Sequence, residues 1–368
     1  HPTAGAANDS SDTLVGANIK DGVLLGYYGL GGDIVLPNTV TKIGDDALKG
    51  NDNIVSITIP GSVKDIGNNA FEGCTKLERV IFTNPEKTSK NLIIRLSAFQ
   101  NCKKLTECEI PARAYQVVGN VFKGCTSLTG VQLPDSLQSI GSYAFAGCSS
   151  LTMIRIPDGV TYIGKSAFAG CIGLTSLQLP DSVEVIDDEA FSGCVNLTMV
   201  QIPDSVKRVG ENAFGSCTGL ISTRVPSGLQ EIGRGVFAGC DNLHRAIVPY
   251  PRKVLNLELL HSCRELTDMM VSENSHEHSA KNGVLFNKEQ TELVFYPMGK
   301  KEGAYLMPEG VREIASQAFC GCEHLKHVVF ADSMEKIAPD AFVNCPNLDE
   351  ATKETLESFG CTVKTEEA

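Results

Sequence analysis

The chain has 368 residues, 42% apolar and 21% charged, and 32 Lys and Arg against 44 Asp and Glu leave a formal charge of −12. That is a foldable composition, long enough for two average domains or one extended one. Its acidity disfavours nucleic acid and anionic membrane surfaces, whose phosphates need clustered Lys and Arg, and no apolar stretch approaches the roughly 20 residues of a membrane-spanning helix.

The start, HPTAGAANDSSD, has no positive n-region and no apolar core, so any signal peptide is expected to have been removed already. Residues 1–35 read as an N-terminal tail and a cap hairpin, the latter in DGVLLGYYGLGGDIVLP (21–37). The glycines of GLGGD precede a strand and not a helix, which disfavours a phosphate cradle.

A repeat then takes over. Cysteine falls at Cys74, Cys102, Cys125, Cys148, Cys171, Cys194, Cys217, Cys240, Cys263, Cys322 and Cys345, with an interval of 23 residues from Cys102 to Cys263. Three residues before each stands Phe71, Phe99, Phe122, Phe145, Phe168, Phe191, Phe214, Phe237, Leu260, Phe319 or Phe342. Such a period means a solenoid whose single coil cannot bury its apolar face alone. Counted by the aromatic position from Leu48, there are about twelve coils.

Residues 174–196, LTSLQLPDSVEVIDDEAFSGCVN, show one coil. Leu177 and Leu179 alternate with Ser176 and Gln178, the period-2 mark of a half-buried strand. Pro180 has no N–H for a neighbouring coil and ends the strand, and Asp181-Ser182 turns the chain. Val183 and Ile186 form a second short apolar piece. The Gly that follows in most coils (44, 67, 141, 164, 210, 233) supplies either a positive φ or a close approach between coils. DEAFSGC suits a single helical turn that drives Ala190 and Phe191 inward. The prediction is a parallel β-sheet on one side, with short extended segments and single helical turns on the other.

The phase departs from the 23-residue step at the ends, which a solenoid must cover, and at two places within. Between Phe71 and Phe99 the step is 28, an enlarged surface turn within TNPEKTSKN (83–91). Between Cys263 and Cys322 it is 59, and residues 273–305 read as a polar loop, SENSHEHSAKN, followed by a β-hairpin, GVLFNKEQTELVFYP. The predicted organisation is therefore solenoid over 36–272, this insertion over 273–305, further coils over 306–348 and a polar C-terminal cap over 349–368.

Eleven of the fourteen cysteines share one position of the repeat. Stacked side chains that point the same way lack disulfide geometry, so the column is expected to consist of buried thiols with weak hydrogen bonds to backbone. Cys108 replaces an inward strand residue, and Cys361 is expected to be the exposed thiol. One ligand per coil does not make a zinc site. His276-Glu277-His278 offers two imidazoles without a fixed third ligand, and His327 occupies an outward strand position. No catalytic, metal or cofactor site is expected.

What remains is surface. One outward column runs Ser56, Arg79, Glu107, Gly130, Met153, Ser176, Met199, Ser222, Arg245; the other runs Thr58, Ile81, Glu109, Gln132, Arg155, Gln178, Gln201, Arg224, Ile247. Met153, Arg155, Ser176, Gln178, Met199, Gln201 and Arg224 form a mixed polar and Met centre. Arg and Met are enriched at protein interfaces, so these are the candidate partner-binding residues.

The unit L-x-x-L-x-L-P-x-x-[LV]-x-x-I-G-x-x-A-F-x-x-C resembles the leucine-rich repeat of BspA-like bacterial surface proteins over about residues 36–348. The resemblance implies a right-handed leucine-rich repeat solenoid on a secreted or surface-attached bacterial protein. It also implies adhesion to, or recognition of, a protein or glycoprotein of a host or neighbouring cell. It carries no shared catalytic residues. The expectation is a monomeric, non-enzymatic binding protein; the alternative is a structural spacer that displays another domain or anchor.

Overall fold

The computed structural model describes residues 13–83, 92–248, 257–271 and 275–364. The tail 1–12, the expected surface turn at 84–91, part of the polar loop (272–274) and the end of the cap (365–368) lie outside the described residues. Two compact units divide the chain, His1–Gly173 and Leu174–Ala368.

In the first unit a parallel front sheet holds Gly32–Val35, Ile54–Ile59, Arg79–Phe82, Glu107–Glu109 and Gly130–Gln132, one strand per coil. Its register follows the repeat: Ser56 faces Arg79, Ile57 faces Val80 and Gly130 faces Glu107. Inward residues such as Ile57 and Ile59 are wholly buried. A back sheet runs through Lys42–Ile43, Asp65–Ile66, Leu92–Ile94 and Ala114–Val117, and the antiparallel hairpin Ala17–Lys20/Val23–Tyr27 caps it by pairing Val23 and Leu24 with Lys42 and Ile43. The coil at 151–157 differs from expectation. Ile154 and Ile156 are buried in phase, but the segment forms no strand. Alternation in sequence sets which side chains point inward, whereas a ladder also needs neighbouring backbones at hydrogen-bonding distance.

The second unit repeats the plan. Leu177–Gln178, Met199–Gln201, Ser222–Arg224, Arg245–Val248 and Asp268–Val271 form its front sheet, and Val185–Ile186, Arg208–Val209 and Glu231–Ile232 stack behind. The 273–305 stretch holds the expected hairpin, Val284–Asn287 against Glu292–Phe295, but also a strand within the expected polar loop, His278–Lys281, antiparallel to Val284–Asn287. Glu292–Phe295 then pairs in parallel with Glu313–Ile314, so the hairpin is a member of the stack. Tyr296 takes the Phe position: its N–H donates to Ala318 and its ring lies 4.9 Å from that of Phe319. That adds a coil to the count from sequence, about thirteen in all.

The segment around each Phe is a run of interlocked turns. The N–H groups of Asn69, Phe71 and Gly73 donate to Leu96, Ala98 and Gln100 of the next coil, while Ala70, Glu72 and Cys74 donate three residues back. Asn69 is left-handed (φ 53°), as are its counterparts Asn120 and Glu189. A left-handed residue breaks helical continuation, so the helical turns expected from sequence are non-helical turns at the Phe positions, and among the described coils only Leu257–Leu260 forms a short 3-10 helix.

The core is the Phe column. In the first unit the rings of Phe71, Phe99, Phe122, Phe145 and Phe168 stack at 5.0–5.6 Å between centroids. In the second, Phe191, Phe214 and Phe237 stack at 5.2–5.6 Å, and Tyr296, Phe319 and Phe342 at 4.4–4.9 Å. Beside them, Cys102, Cys125, Cys148 and Cys171 donate to the carbonyls of Phe71, Phe99, Phe122 and Phe145 at 3.1–3.2 Å. Cys74 donates to Leu48, and in the second unit Cys217 and Cys240 donate to Phe191 and Phe214. Cys194 is buried in the same column. Cys361 corrects the expectation: it is wholly buried, because the helix Glu350–Ser358 and the segment after it close over the last coil. Cys320 is the partly exposed thiol instead.

Candidate functional site

The pleat turns alternate residues of each front strand outward, and cross-coil hydrogen bonds hold them in rows. In the first unit, Met153 is 67% exposed and Arg155 lies on the surface beside it. Arg155 is not loose. Its Nη1 sits 2.7 Å from Asp135 Oδ1 and its Nη2 3.8 Å from Asp158. A recess of about 430 Å³ opens beside this pair, lined by Glu109, Gln132, Leu133, Pro134 and Asp135. Ser56, expected to face outward, is buried, and its hydroxyl donates to Asp33 of the preceding strand.

In the second unit, Ser176, Gln178, Met199 and Gln201 are exposed, with Gln178 directly opposite Gln201 and Gln201 opposite Arg224. Arg224 is half-buried. It donates to both oxygens of Asp204 at 3.1 and 2.8 Å and to the carbonyl of Ile202 at 3.3 Å. Partial burial pushes the Asp204 carboxyl up, but the Arg224 guanidinium and the N–H and hydroxyl of Ser227 outweigh it and hold the group well below the usual carboxylate range. Here the recess measures about 600 Å³ and is lined by Gln178, Asp181, Met199, Gln201, Pro203 and Arg224.

The seven named residues thus divide between the units: Met153 and Arg155 in the first, Ser176, Gln178, Met199, Gln201 and Arg224 in the second. Asp135 and Asp204, the repeat equivalents of the turn residue Asp181, are not among the residues singled out from sequence. The signal was the recurring Pro-Asp at 134–135, 157–158, 180–181 and 203–204, twenty residues ahead of the Arg in two cases.

The histidines lie elsewhere. His327 Nδ1 is 2.7 Å from Asp349 at the start of the C-terminal helix. His278 is buried, and burial pushes its imidazole down. Among the described residues, no group of three His, Cys, Asp or Glu is placed to hold a metal ion, and no helix is long and apolar enough to cross a membrane.

Parallel ladders in repeat register and a stacked aromatic core define a leucine-rich repeat solenoid. The sequence matches the BspA type leucine rich repeat region, in six copies, over residues 32–92, 92–200, 140–267, 184–299 and 294–361, and the chain belongs to that family. Similar solved structures include a leucine-rich repeat protein from Bacteroides ovatus (TM-score 0.59, 23% identity, 97% of this chain and 99% of that one). A leucine rich cell surface protein from Faecalibacterium prausnitzii (TM-score 0.48, 25% identity) covers 94% of this chain and 90% of its own. The leucine rich repeat protein of T. pallidum (TM-score 0.36, 30% identity) covers 60% and 82%. No curated protein is matched by the sequence.

Proposed function

We propose that this chain is a non-enzymatic, surface-exposed binding protein that recognises a protein or glycoprotein of a host or neighbouring cell through its front-sheet residues. Membership of a family of bacterial surface proteins supports the location. The observation that carries the binding role is the exposed Met199, 46% accessible on the same strand as the outward Gln201, which lies opposite Gln178. A soluble strand face has no need of an exposed Met on a polar row, whereas interfaces favour that residue. Carboxylates such as Asp204, held ionised by a guanidinium, are poor general acids, which favours recognition over catalysis.

The test is capture of a partner from host-matrix or cell-surface extracts, repeated with Met199→Glu and Gln201→Ala. Arg224→Glu is a poor choice, since it would set two carboxylates against each other at Asp204. Partner binding that survives both substitutions overturns the sheet-face reading. No retained partner at all favours the spacer.

A further inference from the structure

The two recesses lie at equivalent places of the repeat, although the second carboxylate of each comes from a different position, Glu109 in the first and Asp181, the equivalent of Ala112, in the second. Glu109, Gln132, Leu133, Pro134, Asp135 and Arg155 of the first each lie 69 residues, three repeat steps, before Gln178, Gln201, Ile202, Pro203, Asp204 and Arg224 of the second. In both, an Arg fastened to the Asp of a Pro-Asp turn forms one wall, the Pro of that turn and neighbouring apolar groups line the floor, and a Gln amide stands at the lip.

The charges do not cancel. Asp135 and Asp204 are neutralised by their Arg, but each recess holds a second carboxylate, Glu109 in the first and Asp181 in the second. Both are exposed, and neither makes an ion pair or hydrogen bond with a described residue. The amides of Gln132, Gln178 and Gln201 are likewise unengaged among the described residues. Each recess therefore presents one uncompensated negative charge above an apolar floor on a protein of net charge −12.

From this we infer that each recess receives a lysine or arginine side chain of a polypeptide partner. The methylene stem would lie on the apolar lining, beside Leu133 and Pro134 in the first unit and against Met199 and Pro203 in the second, and the cationic head would meet Glu109 or Asp181. The Gln amides, each a donor and an acceptor, suit the partner's peptide groups, which favours a polypeptide over a free cation. The inference rests on the sheet-face reading above and specifies its partner.

The probe is the peptide acetyl-Gly-Gly-Arg-Gly-Gly-amide, with its citrulline isostere as the neutral control. The readouts are the Met199 methyl and the Gln132 side-chain amide NMR resonances, with the buried Met298 and Met307 methyls reporting an intact fold. Expected are saturable shifts of both reporters with arginine, none with citrulline, and weakening at high salt. Asp181→Asn should weaken the Met199 response about tenfold and spare Gln132, and Glu109→Gln should do the reverse. Still reporters, equal response to citrulline, or variants without effect would overturn the inference. Free arginine amide binding as tightly as the peptide would overturn the polypeptide assignment. A protein partner captured by the sheet face but indifferent to both variants would sink this inference while the binding reading stands.

Discussion

Phe145 has its ring stacked on both sides, on Phe122 at 5.6 Å and Phe168 at 5.2 Å, and is wholly buried. Truncation removes both contacts from a column that cannot collapse, so Phe145→Ala should cost about 3–5 kcal/mol, read from urea unfolding. The thiols beside the rings are inert for a physical reason. Burial pushes Cys74, Cys108 and Cys240 up to about 12, and a thiol at pH 8 is then almost wholly protonated as well as inaccessible. A colorimetric thiol reagent should find one fast-reacting cysteine in the native protein, lost in Cys320→Ser and kept in Cys361→Ser; the reverse order would contradict the buried position of Cys361. The ring and thiol columns were legible because identity recurs at a fixed step. The setting of Cys361 was not, since it depends on how a non-repeating cap folds back.

Glycine separates two causes that the sequence left open. The Gly after the back strand has no positive φ; instead a Cβ on Gly210 would lie 2.3 Å from the Asp188 backbone nitrogen. Gly193, just before Cys194, is the left-handed one, at φ 73°. Gly210→Ala should therefore destabilise by about 1–3 kcal/mol through overpacking, and Gly193→Ala by about 1–2 kcal/mol through backbone conformation, both measurable by chemical denaturation. The C-terminal cap carries a pH dependence. The hydroxyl and N–H of Thr352, then His327, pull the Asp349 carboxyl from 3.8 to about 2. A depressed carboxyl stabilises fully above its unfolded value and loses that contribution as pH falls through the folded one. Hydrogen exchange across Glu350–Ser358 should thus accelerate, relative to the front strands, between about pH 4 and 2, and Asp349→Asn should show the looser cap already at neutral pH.

A coil contacts chiefly its neighbours, so stability sums over local interfaces and damage stays local. Phe214→Ala should raise amide exchange most in the coils carrying Phe191 and Phe237, its stacking partners. Protection of the Ile54–Ile59 strand in the first unit should change far less. Uniform loss of protection along the whole chain would show a single cooperative transition and contradict this picture.

The sequence by itself determined the repeat, its phase, the inward columns and the outward rows, because each coil meets the same environment and the residues that suit it recur. Tertiary structure alone decided what is not periodic. Tyr296 enters the aromatic column although its flanking sequence lacks the Ala-Phe signature, because Glu292–Phe295 pairs with the coil that follows. Arg155 and Arg224, read from sequence as available to a partner, are held by Asp135 and Asp204, since a guanidinium takes whichever carboxylate the adjacent coil brings within reach. Spacing along a chain fixes a residue's row, but the distance between rows decides which charges remain for a partner.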